Sequence, residues 1–277
     1  MTPPVPEPLR ELVAHWRSAG SPTQPAMAWP RDRWIEDFPD HAAVLRGLPD
    51  ALDRQAVRAA CADAANNATS AEAAFVAVMA WGFGNVGYGR YRTRSILNDP
   101  RGANERLLAV ARTLAESGPL PAYDRFSRGA DCRLPGLGPA FGTKYLFFCQ
   151  APGQNVTALI FDALMSKGLR RLAERDLDPV PWSVRTYTEY LDLMHGWASS
   201  LGCLPDELEF CIFQAIATAQ GNQWAAPWPT TTEATPRQIS GKAGVKERLL
   251  ELGQLRDEGL ITDDEYAEKR AAILDAL

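Results

Sequence analysis

One lysine and one aspartate stand among apolar residues, 18 positions apart in the chain. Lys144 lies in "GTKYLFF" and Asp162 in "TALIFDALM". Because an unpaired charge is costly to bury, such residues are expected to form an ion pair or to do chemistry. An amine in apolar surroundings loses part of its preference for the protonated form and can act as a nucleophile. Two structural interpretations stay open: Lys144 extends to solvent from a packed helix, or Asp162 is only a helix cap.

The stretch "LPGLGP", residues 134–139, comes shortly before this lysine. Gly136 and Gly138 permit positive φ angles and a close approach of the backbone, and Pro139 suits the first turn of a helix. Backbone N–H groups at the start of a helix bind a phosphate without reading any base. The stretch therefore predicts a phosphate-binding hairpin, although glycine-proline turns also join helices that have no ligand.

Charge is distributed unevenly along the 277 residues, whose formal net charge is -5. Residues 85–185 carry 15 Lys or Arg against 9 Asp or Glu, whereas the rest of the chain carries 14 against 25. This local excess is compatible with a phosphate-binding face on an acidic protein, and equally with an ordinary solvated surface.

Cysteine spacing and hydropathy exclude several classes of protein. The five cysteines contain no CxxC pair, which argues against a zinc ribbon, an iron-sulfur cluster and a disulfide framework. No metal-ligand cluster appears, so neither a metal nor another cofactor is expected. The apolar runs are too short to span a bilayer and the proline-rich start is unlike a signal peptide, so a cytoplasmic location is expected.

Apolar residues recur at intervals of three and four along most of the chain, which predicts an all-α fold. Alternating apolar and polar runs are few. The predicted helices lie near 8–18, 52–65, 70–82, 103–117, 141–150, 156–175, 184–201 and 205–219.

The helical domain is expected to cover residues 1–222 and to be followed by a Pro/Thr-rich linker, residues 223–241. Residues 242–277 then predict a two-helix hairpin. Their pattern "LRDEGLITDDEYAEKRAAIL" resembles the SHOCT domain, a short C-terminal hairpin linked to oligomerisation. A hairpin of this size buries too little apolar surface to fold alone, so we expect it to associate with another copy of the chain.

Together, "LPGLG", Lys144 and Asp162 resemble the helix-hairpin-helix superfamily of DNA glycosylases, and within it the 8-oxoguanine DNA glycosylases. The distance between lysine and aspartate is close to that of the family, whereas "PAFGT" intervenes here between the hairpin and the lysine. The resemblance implies a double-stranded DNA partner with a modified base flipped out of the duplex. Lys144 is then the nucleophile that forms a Schiff base with the sugar, and Asp162 is its electrostatic partner.

The glycine-rich stretch "WGFGNVGYGRYRTR", residues 81–94, predicts a loop that enters a DNA groove. Asn85 or an aromatic residue would fill the gap left by the flipped base, as an Asn-bearing loop does in the family. Arg90, Arg92 and Arg94 would neutralise phosphates. The alternative is a glycine-rich turn with a solvated basic face.

Four residues are candidates for the base pocket, with a core role as the alternative. Phe141 and Phe148 flank the lysine and would keep water from its amine. Phe213 and Gln214 lie in "ELEFCIFQAIATA" and could stack on a base and read its edge. Helical spacing of phenylalanine is more often a sign of core packing.

The sequence thus predicts a bacterial-type DNA glycosylase, with or without AP lyase activity, that removes an oxidised or otherwise modified base in base excision repair or in defence against foreign DNA. It does not identify the base. The alternatives are an inactive DNA-binding or scaffold protein that keeps this fold, and a helical interaction protein unrelated to DNA.

Overall fold

The computed structural model describes residues 3–127, 129–150 and 157–219, together with seven positions between 249 and 270. In these ranges it has twelve α-helices, a short 3-10 helix at Pro39–His41 and two short strands, which confirms the all-α class. The strands β1 (Met27–Ala28) and β2 (Ala51–Leu52) pair in antiparallel fashion. The helices are α1 (Glu7–Ser18), α2 (Arg31–Asp37), α3 (Ala42–Gly47), α4 (Arg54–Cys61), α5 (Ala68–Phe83), α6 (Tyr88–Leu97), α7 (Ala103–Ser117), α8 (Pro119–Phe126), α9 (Pro139–Phe148), α10 (Ala163–Ala173), α11 (Val184–Leu201) and α12 (Pro205–Ala219).

Helix α5 runs through the core and contacts α4, α6, α7 and α9. Asn67 caps its start by accepting a hydrogen bond from the Ser70 N–H at 2.9 Å. Its sequence is apolar on every side after the first turn, which is typical of a helix surrounded by others. It ends at Gly84, whose φ of 52° favours glycine.

Helix α9 carries the candidate lysine and packs closely on its neighbours because two glycines remove side chains from the contacts. A Cβ at Gly142 would stand 2.2 Å from the Trp182 ring, and one at Gly82 of α5 would stand 2.4 Å from the Phe141 ring. Each glycine thus admits an aromatic ring against a helix backbone. These contacts fix the position of α9 from two sides.

The chain between α9 and α10 departs from the prediction, which placed a single helix over 156–175. Residues 157–162 belong to no helix, the backbone is extended at Asp162, and α10 begins at Ala163. The apolar run "ALIF" has the length of a buried strand as well as of a helical turn, so its periodicity alone is ambiguous. Asp162 decides the boundary, because its side chain caps the helix that follows it.

The segment predicted as a loop at 81–94 is mostly helical. Helix α6 covers Tyr88–Leu97, so the three arginines lie on a helix and only a short turn remains around Asn85. The prediction also missed the short helices α2, α3 and α8, because helices of six to eight residues show little periodicity. The two longest helices of the C-terminal half, α11 and α12, have the predicted bounds.

Of the predicted C-terminal hairpin, the structure describes seven helical positions. Leu252 is buried, and the Arg256 guanidinium lies 4.5 Å from the centre of the Tyr266 ring. The linker 223–241 and most of 242–277 lie outside the described residues. Among the residues that are described, no helix is both long and apolar enough to cross a membrane.

Candidate active site

The Lys144 amine and the Asp162 carboxylate form a buried ion pair. Lys144 Nζ stands 2.8 Å from Asp162 Oδ2, and the two side chains are only 8% and 9% exposed. The amine also lies 3.4 Å from the Ala140 carbonyl oxygen and 5.5 Å from the centre of the Phe141 ring. Lys144 therefore does not extend to solvent. Its amine is held in a largely apolar environment by one carboxylate.

Asp162 contributes both of its oxygens. While Oδ2 faces Lys144, Oδ1 accepts a hydrogen bond from the Met165 N–H at 3.2 Å and so caps α10. The two interpretations of this aspartate, helix cap and partner of the lysine, hold together. The cap orients the carboxylate, which lies at the positive end of the α10 dipole.

The predicted hairpin is a tight turn just before α9. Leu137 N–H donates to Leu134 O at 3.1 Å, with Pro135 and Gly136 between them and a φ of 80° at Gly136. Proline followed by a positive-φ glycine is typical of a type II turn. Gly138, by contrast, has a φ of -95°, so of these two glycines Gly136 is the one that adopts a positive φ. Pro135 and Gly136 are exposed, as a backbone phosphate site requires.

Arg92 differs from its predicted placement. It is buried, and its guanidinium donates to Gly136 O through Nε at 3.1 Å and Nη2 at 2.7 Å. Since it lies against the turn carbonyl, this arginine holds the hairpin in place on α6. This placement does not support the prediction that Arg92 neutralises a DNA phosphate from a loop.

Arg90 and Arg94 both pair with one carboxylate, that of Asp37. Arg90 Nε lies 2.6 Å from Asp37 Oδ2, and Arg94 Nη2 lies 2.5 Å from Oδ1. Burial alone would raise the pKa of Asp37, but the hydrogen bonds and charges of the two arginines bring it below the ordinary value. Asn85 is exposed in the turn between α5 and α6. The arginines and Asn85 thus lie near the surface, yet the arginine charges are partly neutralised.

Other arginines of the basic region are also paired with acids, which reduces the free positive charge that the sequence suggested. The pairs are Arg101 and Arg106 with Asp99, Arg125 with Asp131, and Arg170 with Asp176.

The structure places two of the base-pocket candidates in the core. Phe141 stacks on Phe83 with ring centroids 4.5 Å apart, and Phe148 meets the Trp81 ring edge-on at 4.9 Å. Phe148 is fully buried, so no ring face is presented to a base. The placement of Phe148 does not support its assignment to a base pocket. Of the roles predicted for Phe141, the structure shows its contact with the lysine amine.

The two α12 candidates also lie in packed surroundings. Phe213 is half-buried and packs against the apolar cluster that joins α10 and α12, and Gln214 is buried. The assignment of Phe213 and Gln214 to a base pocket therefore stays a prediction.

Sequence reasoning missed the side chains that support the pair. Thr143 accepts a hydrogen bond from the Phe161 N–H, and the buried Glu209 accepts one from the Ile160 N–H. Arg54, 155 positions from Glu209 in the chain, completes that contact. A glutamate in the apolar stretch "ELEFCIF" was the available signal, but its partners come from distant parts of the chain.

A helical fold in which a glycine-proline hairpin precedes a buried lysine–aspartate pair is that of a DNA glycosylase-like protein. The profile of the family described as "Putative 8-oxoguanine DNA glycosylase OGG-like protein" matches residues 20–213, more than half of the chain, and the protein belongs to this family. A second profile, the SHOCT short C-terminal domain, matches residues 247–274. Neither the comparison with curated proteins nor that with solved structures found a match.

Proposed function

We propose that the protein is a DNA glycosylase that removes a modified base by Schiff-base chemistry at Lys144. The observation that carries the proposal is the buried 2.8 Å contact between Lys144 Nζ and Asp162 Oδ2 behind an exposed glycine turn. Family membership supports DNA as the substrate. The arrangement supplies a nucleophile, a carboxylate that can take its proton, and a backbone site for a phosphate.

In the proposed reaction, Asp162 accepts a proton from the Lys144 ammonium, and the free amine attacks C1′ of a flipped nucleotide. The bond between C1′ and the base breaks, and the base leaves with the electron pair and takes up a proton. Asp162 supplies that proton, and the carboxylate so regained stabilises the positive charge that develops on the sugar. The bond between C1′ and the ring oxygen then breaks, the oxygen takes a proton from Nζ, and a protonated imine forms between C1′ and Nζ.

The imine can end in two ways. Water can hydrolyse it and return the amine, which leaves an abasic site. Alternatively, removal of a proton from C2′ expels the 3′-phosphate and nicks the strand before hydrolysis. The second path is the AP lyase activity.

The hairpin and α6 are proposed to hold the DNA backbone. In the exposed turn, Gly136 offers a backbone N–H close to the start of α9, where the positive end of the helix dipole lies. Arg92 supports this turn from behind. Arg90 and Arg94 both pair with the Asp37 carboxylate. To bind a DNA phosphate, each must first release this carboxylate.

Borohydride trapping tests the proposal. Duplex oligonucleotides that carry 8-oxoguanine, another oxidised base or an abasic site are incubated with the protein and reduced, and a covalent adduct is sought by mass. We expect an adduct that peptide mapping assigns to Lys144. Lys144→Gln should abolish it while DNA affinity stays within about threefold.

Lys167 supplies the matched control. It lies in the neighbouring helix α10 and is half-buried, so Lys167→Gln should trap as the unchanged protein does. An adduct that persists in Lys144→Gln would refute the assignment of the nucleophile. If the unchanged protein binds duplex DNA but forms no adduct with any substrate, the alternative, an inactive DNA-binding protein with this fold, is favoured.

A further inference from the structure

Two contacts of equal sequence separation join α9 to the extended segment before α10. Lys144 pairs with Asp162, and one residue earlier on each side Thr143 Oγ1 accepts a hydrogen bond from the Phe161 N–H at 3.0 Å. Both contacts span 18 positions of the chain. The threonine contact therefore lies directly beside the ion pair.

The Thr143 hydroxyl both donates and accepts a hydrogen bond. It is completely buried and donates to the Pro139 carbonyl oxygen of its own helix at 2.8 Å while it accepts from Phe161. Because a hydroxyl has a single proton, this donation fixes the direction of its lone pairs toward the Phe161 N–H. The result is a rigid link from the first turn of α9 to the residue before Asp162.

Side chains from other elements bind further backbone groups of the same segment. Ile160 N–H donates to Glu209 Oε2 at 2.8 Å, and Tyr190 O–H donates to Ile160 O at 2.6 Å. Tyr187 O–H donates to Leu159 O at 2.9 Å. Arg54 Nη2 lies 2.7 Å from Glu209 Oε1 and balances its charge. Burial raises the pKa of Glu209, and Arg54 and the Ile160 N–H oppose that rise.

These contacts hold the segment near α11 and α12, and Gln150, just after α9, binds its start at Thr157 and Ala158. At the other end of the segment, the Thr143 link joins α9 to the residue next to Asp162 and so fixes the distance there. The threonine touches neither the amine nor the carboxylate in any contact of the described residues.

We propose that Thr143 is a positioning residue that sets the distance between the Lys144 amine and the Asp162 carboxylate. This inference rests on the proposed function for its consequence in catalysis, but its geometric part is independent of activity. Loss of the hydroxyl should let Phe161 and Asp162 move away from α9, which frees the lysine amine for part of the time.

Lysine reactivity tests the geometric part without any substrate. The full-length protein is treated with formaldehyde and borohydride, and methylation of Lys144 is measured by mass relative to Lys167 in the same molecule. Thr143→Val, which keeps the shape but lacks the hydroxyl, should raise this ratio about fivefold. Thr143→Ser, which keeps the hydroxyl, should leave it unchanged.

An unchanged ratio in Thr143→Val overturns the proposal. So does an equal rise in valine and serine variants, since the hydroxyl would then not be responsible. General loosening of the fold would also raise the ratio, because Lys167 is already half-buried, so amide hydrogen exchange in α5 is measured beside it. Faster exchange in α5 of Thr143→Val would show general loosening and would count against the proposal. If the ratio rises as expected but the unchanged protein forms no DNA adduct, the positioning role stands and the proposed function fails.

Where adducts form, a double-mutant cycle tests the catalytic consequence. Thr143→Val should slow adduct formation about tenfold when Asp162 is present. In an Asp162→Asn background, which keeps an oxygen for the helix cap, the same change should have little further effect. A tenfold loss in both backgrounds would show that Thr143 does not act through Asp162 and would overturn the inference.

Discussion

At the scale of single residues, the ion pair of Lys144 and Asp162 places two charged groups in the core of the protein. Removing two charges from water is expensive, and their attraction offsets that cost only when geometry and hydrogen bonding are good. Here the carboxylate has one oxygen on the amine and one on a backbone N–H. The pair is therefore well satisfied, but neither member can be removed alone without leaving the other buried and unpaired.

This gives a stability prediction for the pair. Lys144→Met leaves Asp162 without its cation and should lower the free energy of unfolding by about 3 kcal/mol. The double variant Lys144→Met/Asp162→Asn removes both charges, keeps the cap and should recover at least half of that loss. Urea denaturation followed by circular dichroism measures both. If the double variant were no more stable than the single one, the unpaired charge of Asp162 would not be the cause of the loss.

At the scale of elements, two glycines position α9, because their lack of a side chain lets aromatic rings pack against helix backbone. Gly142 admits the Trp182 ring against the helix backbone, and Gly82 of α5 admits the Phe141 ring. Helix α9 carries the lysine and begins directly after the hairpin, so its position determines how far the amine lies from a bound phosphate. Any loss of these contacts moves the nucleophile.

Gly142→Ala tests the contact between α9 and Trp182. The new methyl group would stand 2.2 Å from the ring in the present geometry, so we expect a loss of about 2 kcal/mol in the free energy of unfolding. Gly47→Ala is the matched control, because Gly47 also lies in a helix and a Cβ there meets no atom within 4 Å. Urea denaturation of both variants compares them. Equal stability of the two would mean that the contact is not tight.

The pairing between α2 and α6 gives a second prediction at this scale. Asp37→Asn removes the carboxylate that now occupies Arg90 and Arg94, and we expect tighter binding of duplex DNA by about threefold. Fluorescence anisotropy at several salt concentrations measures the affinity. Asp40→Asn, an exposed neighbour, is the control for net charge. Equal gains in both variants would show that only the overall charge matters.

The gain in DNA affinity expected for Asp37→Asn should be the same at pH 6 and at pH 8. The pKa of this carboxyl lies below its usual value of 3.8, so it stays ionised through that range. Its stabilising pairing with the arginines is present above the unfolded-state value and is lost as the pH falls through the lower folded-state value. A gain of Asp37→Asn that disappeared at pH 6 would contradict this assignment.

At the scale of the whole molecule, a DNA glycosylase-like domain is combined with a SHOCT domain at its C-terminus. The helical domain has an extensive core, which Leu252 of the C-terminal segment joins. A two-helix hairpin by itself has too little apolar surface to fold independently. We expect the hairpin to pair with the hairpin of another chain, which would bring two DNA sites into one assembly and raise its avidity for DNA.

Removing residues 242–277 tests this expectation. The shortened protein should lose mass in light scattering by more than the deleted residues account for, because the oligomer dissociates. Circular dichroism should show that its remaining helices are intact. A shortened protein with the same number of chains per particle as the full-length one would refute oligomerisation through the hairpin.

The sequence by itself determined the helical class, the bounds of the long amphipathic helices and the two residues at the centre of the candidate site. These features depend on local signals: periodicity, a cap, and a charge among apolar neighbours. Tertiary structure decided what those residues contact. Arg92 donates to a carbonyl of the hairpin, and Asp37 pairs with Arg90 and Arg94, which were predicted to bind phosphate. Thr143 and Glu209 accept hydrogen bonds from the segment that carries Asp162. Such contacts join residues far apart in the chain, and no local pattern encodes them.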